Sequence, residues 1–173
     1  MTEAVPPEIR IDFPSGRNEG WRGPSEAELK AAARAALRAG GGAGRAPGSG
    51  AGHDAGEGAE ISVTFLPAEA MRALNRDYHG VADLTDDLTD VLAFGLGEDP
   101  LVGDIYISPD AAEASAGELG IDPREEILRL LIHGVLHLLG HDHPEGEARY
   151  ASPMFELQER LLSCLLAEFR GRA

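Results

Sequence analysis

Four of the six histidines of this 173-residue chain lie in one short stretch, HGVLHLLGHDH at positions 133–143. His133 and His137 are four residues apart, so on a helix their imidazoles project from one face about 5–6 Å from each other, close enough to bind one metal ion. Gly140 allows the chain to reverse after this helix, and His143 can then supply a third nitrogen. The spacing therefore predicts His133, His137 and His143 as metal ligands.

Three neutral nitrogens with an open fourth position are typical of catalytic zinc, whereas structural zinc usually has four ligands rich in cysteine. A bound divalent ion lowers the pKa of its water and polarises a phosphoryl or carbonyl oxygen, as metal-assisted hydrolysis requires. We expect one Zn²⁺ per chain, although nickel, manganese or iron binds the same nitrogens. The alternative is that His133 and His137 are core histidines bonded to backbone carbonyls. The metal is favoured because unpaired buried imidazoles are costly.

The spacing H-x-x-x-H-x-x-G-x-x-H is also that of the metzincin proteases, which need a glutamate directly after the first histidine as general base. That position is Gly134 here, so ordinary proteolysis is disfavoured. His141 could replace His143 as a ligand, but the spacing after Gly140 favours His143. We therefore expect His141 to contact the substrate or to line the rim of the site.

The elements that position the histidines follow from capping residues and hydrophobic periodicity. Asp122 and Pro123 begin a helix whose residues 127–139 are apolar on nearly all sides, which is typical of a central helix. Alternating residues predict four strands, and cap signals or helical spacing predict four further helices. The fold class is therefore α+β, a mixed sheet of about four strands packed with about five helices, with the metal-site helix central. The strands are expected near 9–13, 61–65, 90–94 and 104–108, and the other helices near 26–39 and 68–78 and after Pro109 and Pro153.

Composition and charge define the class of protein. The length and the 43% apolar content predict one globular domain over 1–173, with a flexible glycine-rich loop at 40–58. No apolar run could span a membrane and the first residues show no signal peptide, so we expect a cytoplasmic protein. Cys164 is expected to be a buried reduced thiol. The net charge of −15 opposes phosphate polyanions, so any nucleic acid must bind locally, and the acidic surface could equally be a solubility or high-salt adaptation.

The sequence resembles a known family, the YbeY endoribonucleases. The family's motif H-G-x-L-H-L-x-G-x-D-H matches residues 133–143, and MRALNRDYHG, TDVLAF and GDIYIS resemble its other conserved segments. The resemblance covers about 61–169. It implies a cytoplasmic, metal-dependent, single-strand-specific endoribonuclease that acts in maturation of the 3′ end of small-subunit ribosomal RNA and in ribosome quality control. The implied partners are single-stranded RNA and the ribosome, with no membrane and no DNA.

The resemblance also implies roles for single residues. His133, His137 and His143 correspond to the family's zinc ligands, with His133 also counted as catalytic, and Arg72 corresponds to an arginine near the metal that engages the RNA phosphate. Asp142 either orients a ligand imidazole or caps the turn after Gly140. The general base is not identified. Two alternatives stay open: a metal-stabilised RNA-binding or ribosome-binding factor without significant catalysis, and a metallohydrolase acting on another substrate.

Overall fold

The computed structural model describes residues 5–13, 21–41, 56–79 and 90–172. The described residues form four β-strands, five α-helices and one 3-10 helix, so the predicted α+β class is confirmed. In chain order these are β1 (Glu8–Asp12), α1 (Glu26–Gly40), β2 (Glu60–Phe65), α2 (Ala68–His79), β3 (Val91–Glu98), β4 (Leu101–Ile107), α3 (Pro109–Leu119), α4 (Pro123–Leu138), the 3-10 helix (Gly146–Ala151) and α5 (Pro153–Gly171).

The sheet is mixed and has the strand order β1-β2-β4-β3. β1 pairs with β2 and β2 pairs with β4 in parallel, while β3 and β4 form an antiparallel hairpin. The loop between β3 and β4 is shorter than the sequence predicts. Both strands are longer than expected, so only Asp99 and Pro100 connect them. Alternate residues of β2 and β4 are buried, as expected for strands with one covered face.

The helix that carries His133 and His137 is α4, and it lies at the centre of the molecule. It contacts β3 and β4 on the sheet and the helices α1, α3 and α5. This position explains its apolar composition, since a helix covered on most sides must bury most of its circumference. Each fully buried leucine or isoleucine of α4 contributes about 1.5–3 kcal/mol to folding. Those residues with no exposed surface are Leu128, Leu131, Ile132 and Leu136.

Two glycines allow α4 to lie close against β4. A Cβ at position 134 would lie 3.0 Å from Cγ2 of Ile105, and a Cβ at position 103 would lie 2.7 Å from Cδ2 of Leu138. Both distances are shorter than ordinary carbon contacts, so a larger side chain at either position would push the helix away from the sheet. The α4 backbone next to His133 is therefore fixed by close packing.

The predicted helix starts agree with the structure. Ser25 and Glu28 form a capping box at α1, and the side chains of Ser108, Asp122 and Ser152 accept backbone N–H bonds at the starts of α3, α4 and α5. Within the described ranges, no helix is both long enough and apolar enough to span a membrane. Most of the predicted glycine-rich loop at 40–58 lies outside the described residues.

The prediction for Cys164 is wrong, because this thiol is exposed. The buried side of α5 is formed by Met154, Gln158, Leu162 and Leu165. Cys164 falls between the last two of these residues in sequence but on the opposite, solvent side of the helix.

Candidate metal centre

Three histidine side chains meet at the end of α4. His133 and His137 project from successive turns of the helix, and Gly140, with φ +85°, reverses the chain so that His143 returns to the same point. Nε2 of His133 lies 3.0 Å from Nε2 of His137 and 3.3 Å from Nε2 of His143. The structure thus brings together the three residues that the spacing singles out.

Each of these rings has an oxygen acceptor at its other nitrogen. Nδ1 of His137 donates to the carbonyl of His141 at 3.0 Å, and Nδ1 of His143 donates to the carbonyl of Pro144 at 3.0 Å. Nδ1 of His133 lies 2.8 Å from Oε1 of Gln158. Because a carbonyl only accepts hydrogen bonds, these contacts place the proton of each neutral ring on Nδ1 and leave Nε2 with a free lone pair.

The orientation of the Gln158 amide is set by its neighbours on α4 and α5. Nε2 of Gln158 donates to Oε1 of Glu159 at 2.9 Å, and the same carboxylate oxygen accepts from Nε of Arg129 at 2.8 Å. A carboxylate can only accept, so the NH₂ group of Gln158 must face Glu159 and its oxygen must face His133. The chain Arg129, Glu159, Gln158 therefore fixes the tautomer of His133.

The geometry fits a tetrahedral metal ion. Zinc bonds to imidazole of about 2.0–2.1 Å and tetrahedral angles require nitrogens about 3.3 Å apart. The two Nε2 separations, 3.0 and 3.3 Å, are close to that value. With all three protons on Nδ1, no hydrogen bond can join the Nε2 atoms, and their lone pairs repel one another unless a cation lies between them. These residues could hold a divalent ion and leave one coordination position open.

Burial favours the neutral form of His133 and His137. Burial lowers the pKa of His133 from 6.5 to about 4, against an opposing effect of the bond to Gln158. Burial also lowers the pKa of His137, and the neighbouring His143 adds to that shift. A neutral ring is the form that binds a metal, so the site is ready to bind at neutral pH without releasing protons from these two rings.

We expect Gln158→Leu to weaken metal binding by about 10- to 100-fold, because Nδ1 of His133 then loses the acceptor that fixes its proton and its ring orientation. The measurement is a competition titration of the metal-free protein with a chromogenic chelator. Gln158→Glu is the comparison variant: it keeps an oxygen that can accept from His133 but loses the NH₂ group that donates to Glu159, so it should retain more affinity than Gln158→Leu. Equal affinity of wild type and Gln158→Leu would show that the amide does not support the ligand.

A cavity of about 320 Å³ lies beside the histidine cluster. Its wall combines the ligands His133 and His143 with charged groups and with an apolar side. Burial raises the pKa of Asp90, and the positive charge of Arg149 partly opposes that shift. The other lining residues are Val91, Leu119, Glu126, Arg129, Leu130, Tyr150, Met154, Phe155, Gln158 and Glu159.

The remaining predicted site residues lie elsewhere. Arg72 is exposed on α2, and it is not among the described residues that line the cavity. Oδ1 of Asp142 accepts the backbone N–H of His143 at 2.8 Å, a contact that favours the turn-capping role over a contact with a ligand imidazole. The ring of His141 faces away from the cluster, with Nε2 2.9 Å from the carbonyl of Gly40, and this residue supports His137 through its own carbonyl. Roles for these three residues in binding substrate stay predictions.

Sequence reasoning did not identify Gln158, Arg129 or Arg149. One signal was present for Gln158, a polar residue at a helical position where α5 otherwise presents apolar side chains to the core; it is 3% exposed. No comparable signal marks Arg129 or Arg149, whose roles depend on contacts between separate elements.

Comparison with known proteins agrees with this description. The family model for "Endoribonuclease YbeY" matches residues 49–165. The endoribonuclease YbeY of Sulfurihydrogenibium sp. is 43% identical over 114 residues, which cover 63% of this chain and 72% of that protein. The corresponding protein of Persephonella marina is 40% identical over 116 residues, covering 64% and 72%. The solution structure of TM1509 from Thermotoga maritima superposes with a TM-score of 0.55 at 26% identity, covering 95% of this chain and 93% of that one.

The fold and the site together define an α+β domain with a cluster of three histidines, at the end of its central helix, that could hold a metal ion. A metal ion held in this way with one open position can serve hydrolysis. The matches to the family model and to its members over most of their length are specific to one such group. This chain belongs to the YbeY endoribonuclease family.

Proposed function

We propose that this protein is a metal-dependent, single-strand-specific endoribonuclease that cleaves phosphodiester bonds in RNA. The observation that carries the proposal is a cluster of three Nε2 atoms with free lone pairs, beside a cavity, in a chain of this family. Nε2 of His137 and Nε2 of His143 both lie within 3.3 Å of Nε2 of His133. The substrate is the 3′ end of small-subunit ribosomal RNA, and the activity belongs to ribosome maturation and quality control in the cytoplasm. Zinc is the proposed metal, because three neutral nitrogens with one open position suit it.

The chain's own residues have separate tasks in this proposal. His133, His137 and His143 hold the ion, and Gln158 and the carbonyls of His141 and Pro144 keep their protons on Nδ1. When bound, a divalent ion supplies a Lewis acid and an activated water for hydrolysis.

The packing of α4 argues against a peptidase. The position of the metzincin glutamate is Gly134, and the Cβ of any side chain there would lie 3.0 Å from Cγ2 of Ile105 on β4. The two glutamates that line the cavity, Glu126 and Glu159, are both hydrogen-bonded to Arg129, so their charges are matched within the fold.

We expect the metal-loaded protein to cleave a single-stranded RNA carrying the small-subunit 3′ end, and to cleave the same RNA at least about tenfold more slowly when it is annealed to its complement. The reason is that a cavity of about 320 Å³ admits an unstacked nucleotide but not a duplex. Gel analysis of end-labelled RNA measures both rates. Equal cleavage of both forms would contradict the single-strand specificity, and cleavage of neither would favour the metal-stabilised binding factor.

A further inference from the structure

We propose that Arg149, held in place by Tyr150, binds a phosphate of the RNA backbone beside the metal centre. The inference rests on the proposed function, because it names the residue with which that site holds its substrate. Arg149 and Tyr150 belong to the 3-10 helix, which follows the loop carrying His143. Both side chains line the cavity together with His133 and His143.

Arg149 is a cation of the cavity that is available to a ligand. The cavity has two arginines among the described residues that line it, Arg129 and Arg149. Arg129 is bonded to the carboxylates of Glu125, Glu126 and Glu159, so its charge is already matched. Across the described ranges no carboxylate forms a salt bridge with Arg149, which is exposed. Its charge is therefore free to meet an anion.

Tyr150 fixes the guanidinium without using up its donors. Nη2 of Arg149 donates to the hydroxyl of Tyr150 at 2.8 Å, and the guanidinium carbon lies 4.8 Å from the centre of the Tyr150 ring. A guanidinium carries five N–H donors, so four stay available after this bond, enough for a bidentate contact with a phosphate. The ring is itself positioned by an edge contact with Phe155, at 5.2 Å between centroids.

The side chain of Arg149 is close to the histidine cluster and is not needed for the local backbone structure. It lines the same cavity as His133, His143 and Asp90. The structural contacts of this residue use its carbonyl, which accepts from Oγ of Ser152 at 2.7 Å and from the backbone N–H of Ser152 at 3.1 Å. A substitution of the side chain therefore leaves the start of α5 intact.

The overall charge makes such a local cation necessary. A chain with net charge −15 repels single-stranded RNA at long range. Binding then depends on a few positive groups at the site itself. Arg149 meets that need at the cavity, whereas Arg72 is exposed on α2 and does not line it.

The test measures binding of a fluorescein-labelled 2′-O-methyl single-stranded oligonucleotide to metal-loaded protein by anisotropy, from about 50 to 200 mM salt. Arg149→Ala should raise Kd about tenfold at the lower salt concentration and reduce the slope of log K against log salt by about 0.7, the value for one phosphate contact on a single strand. Arg149→Lys should keep the slope and lose affinity partly. Tyr150→Phe should keep the slope too, with a smaller rise in Kd.

Arg170→Ala is the matched control, because Arg170 is exposed near the far end of α5 and should change neither Kd nor slope. Equal slopes for wild type and Arg149→Ala, or equal losses for Arg149→Ala and Arg170→Ala, would overturn the proposal. The two proposals can fail separately. If Arg149→Ala cleaves RNA with an unchanged KM, the nuclease function is supported and the phosphate-binding role of Arg149 is contradicted. If the wild type does not cleave RNA but its salt slope still depends on Arg149, the phosphate site is supported and the nuclease function is contradicted.

Discussion

His133→Ala is expected to lose the bound metal and to reduce RNA cleavage about a hundredfold or more, while the protein stays folded. His133 is central to the cluster, because its Nε2 is within 3.3 Å of both partner nitrogens. Two remaining nitrogens cannot hold a tetrahedral ion with useful affinity. Metal analysis of the purified protein and cleavage of the single-stranded substrate measure the two effects.

His141→Ala is the matched control for this variant. It removes a histidine from the same segment, but the ring of His141 contacts the carbonyl of Gly40, away from the cluster. We expect His141→Ala to keep the metal and the activity. Cleavage by His133→Ala at the wild-type rate would mean that a contaminating nuclease is responsible. Unfolding of the wild type on chelation would identify the ion as structural and favour a binding factor.

The second large effect concerns stability. We expect Arg129→Met to lower the free energy of unfolding by about 3–5 kcal/mol, because it leaves the buried carboxylate of Glu126 without its cation. Glu126 is 5% exposed, and burial raises its pKa even with Arg129 bonded to it. A loss of this size lowers Tm by roughly 10 °C in a chain of this length. Urea and thermal unfolding followed by circular dichroism measure the change.

Two further variants define the cause. Arg124→Met is the control, because Arg124 pairs with Glu28 at a more exposed position and should cost about 1 kcal/mol or less. Adding Glu126→Leu to Arg129→Met removes the stranded carboxylate and should recover much of the lost stability. A loss below about 1 kcal/mol for Arg129→Met alone would show that the pairing contributes little net stability.

The ligands and the helix starts could be predicted because their signals are local. His133 and His137 are one turn apart, and a cap needs only a side chain and the backbone two or three residues later. The hydrogen-bond chain behind His133 could not be predicted in this way. It joins α4 to α5 through Arg129 and Gln158, and periodicity shows which residues face inward but not which partners they meet.

The same limit explains why the sequence did not predict the position of Arg149 or the exposure of Cys164. Arg72 was predicted as a site residue from its position in a motif. Arg149 reaches the cavity only because the chain reverses at Gly140 and leads into the 3-10 helix. The exposure of Cys164 depends on which part of α5 docks on the core, and an apolar run that covers more than half of a helix does not define that.

All three proposed ligands come from the eleven residues 133–143, and this has a consequence for the denatured chain. Closing so short a loop costs little entropy, so a denatured molecule can still gather two or three of these imidazoles around an ion. A ligand that also binds the denatured state stabilises the native one by less than its native affinity suggests. The contact that only the folded molecule supplies, from Gln158 of α5 to His133, then decides how much the metal favours folding.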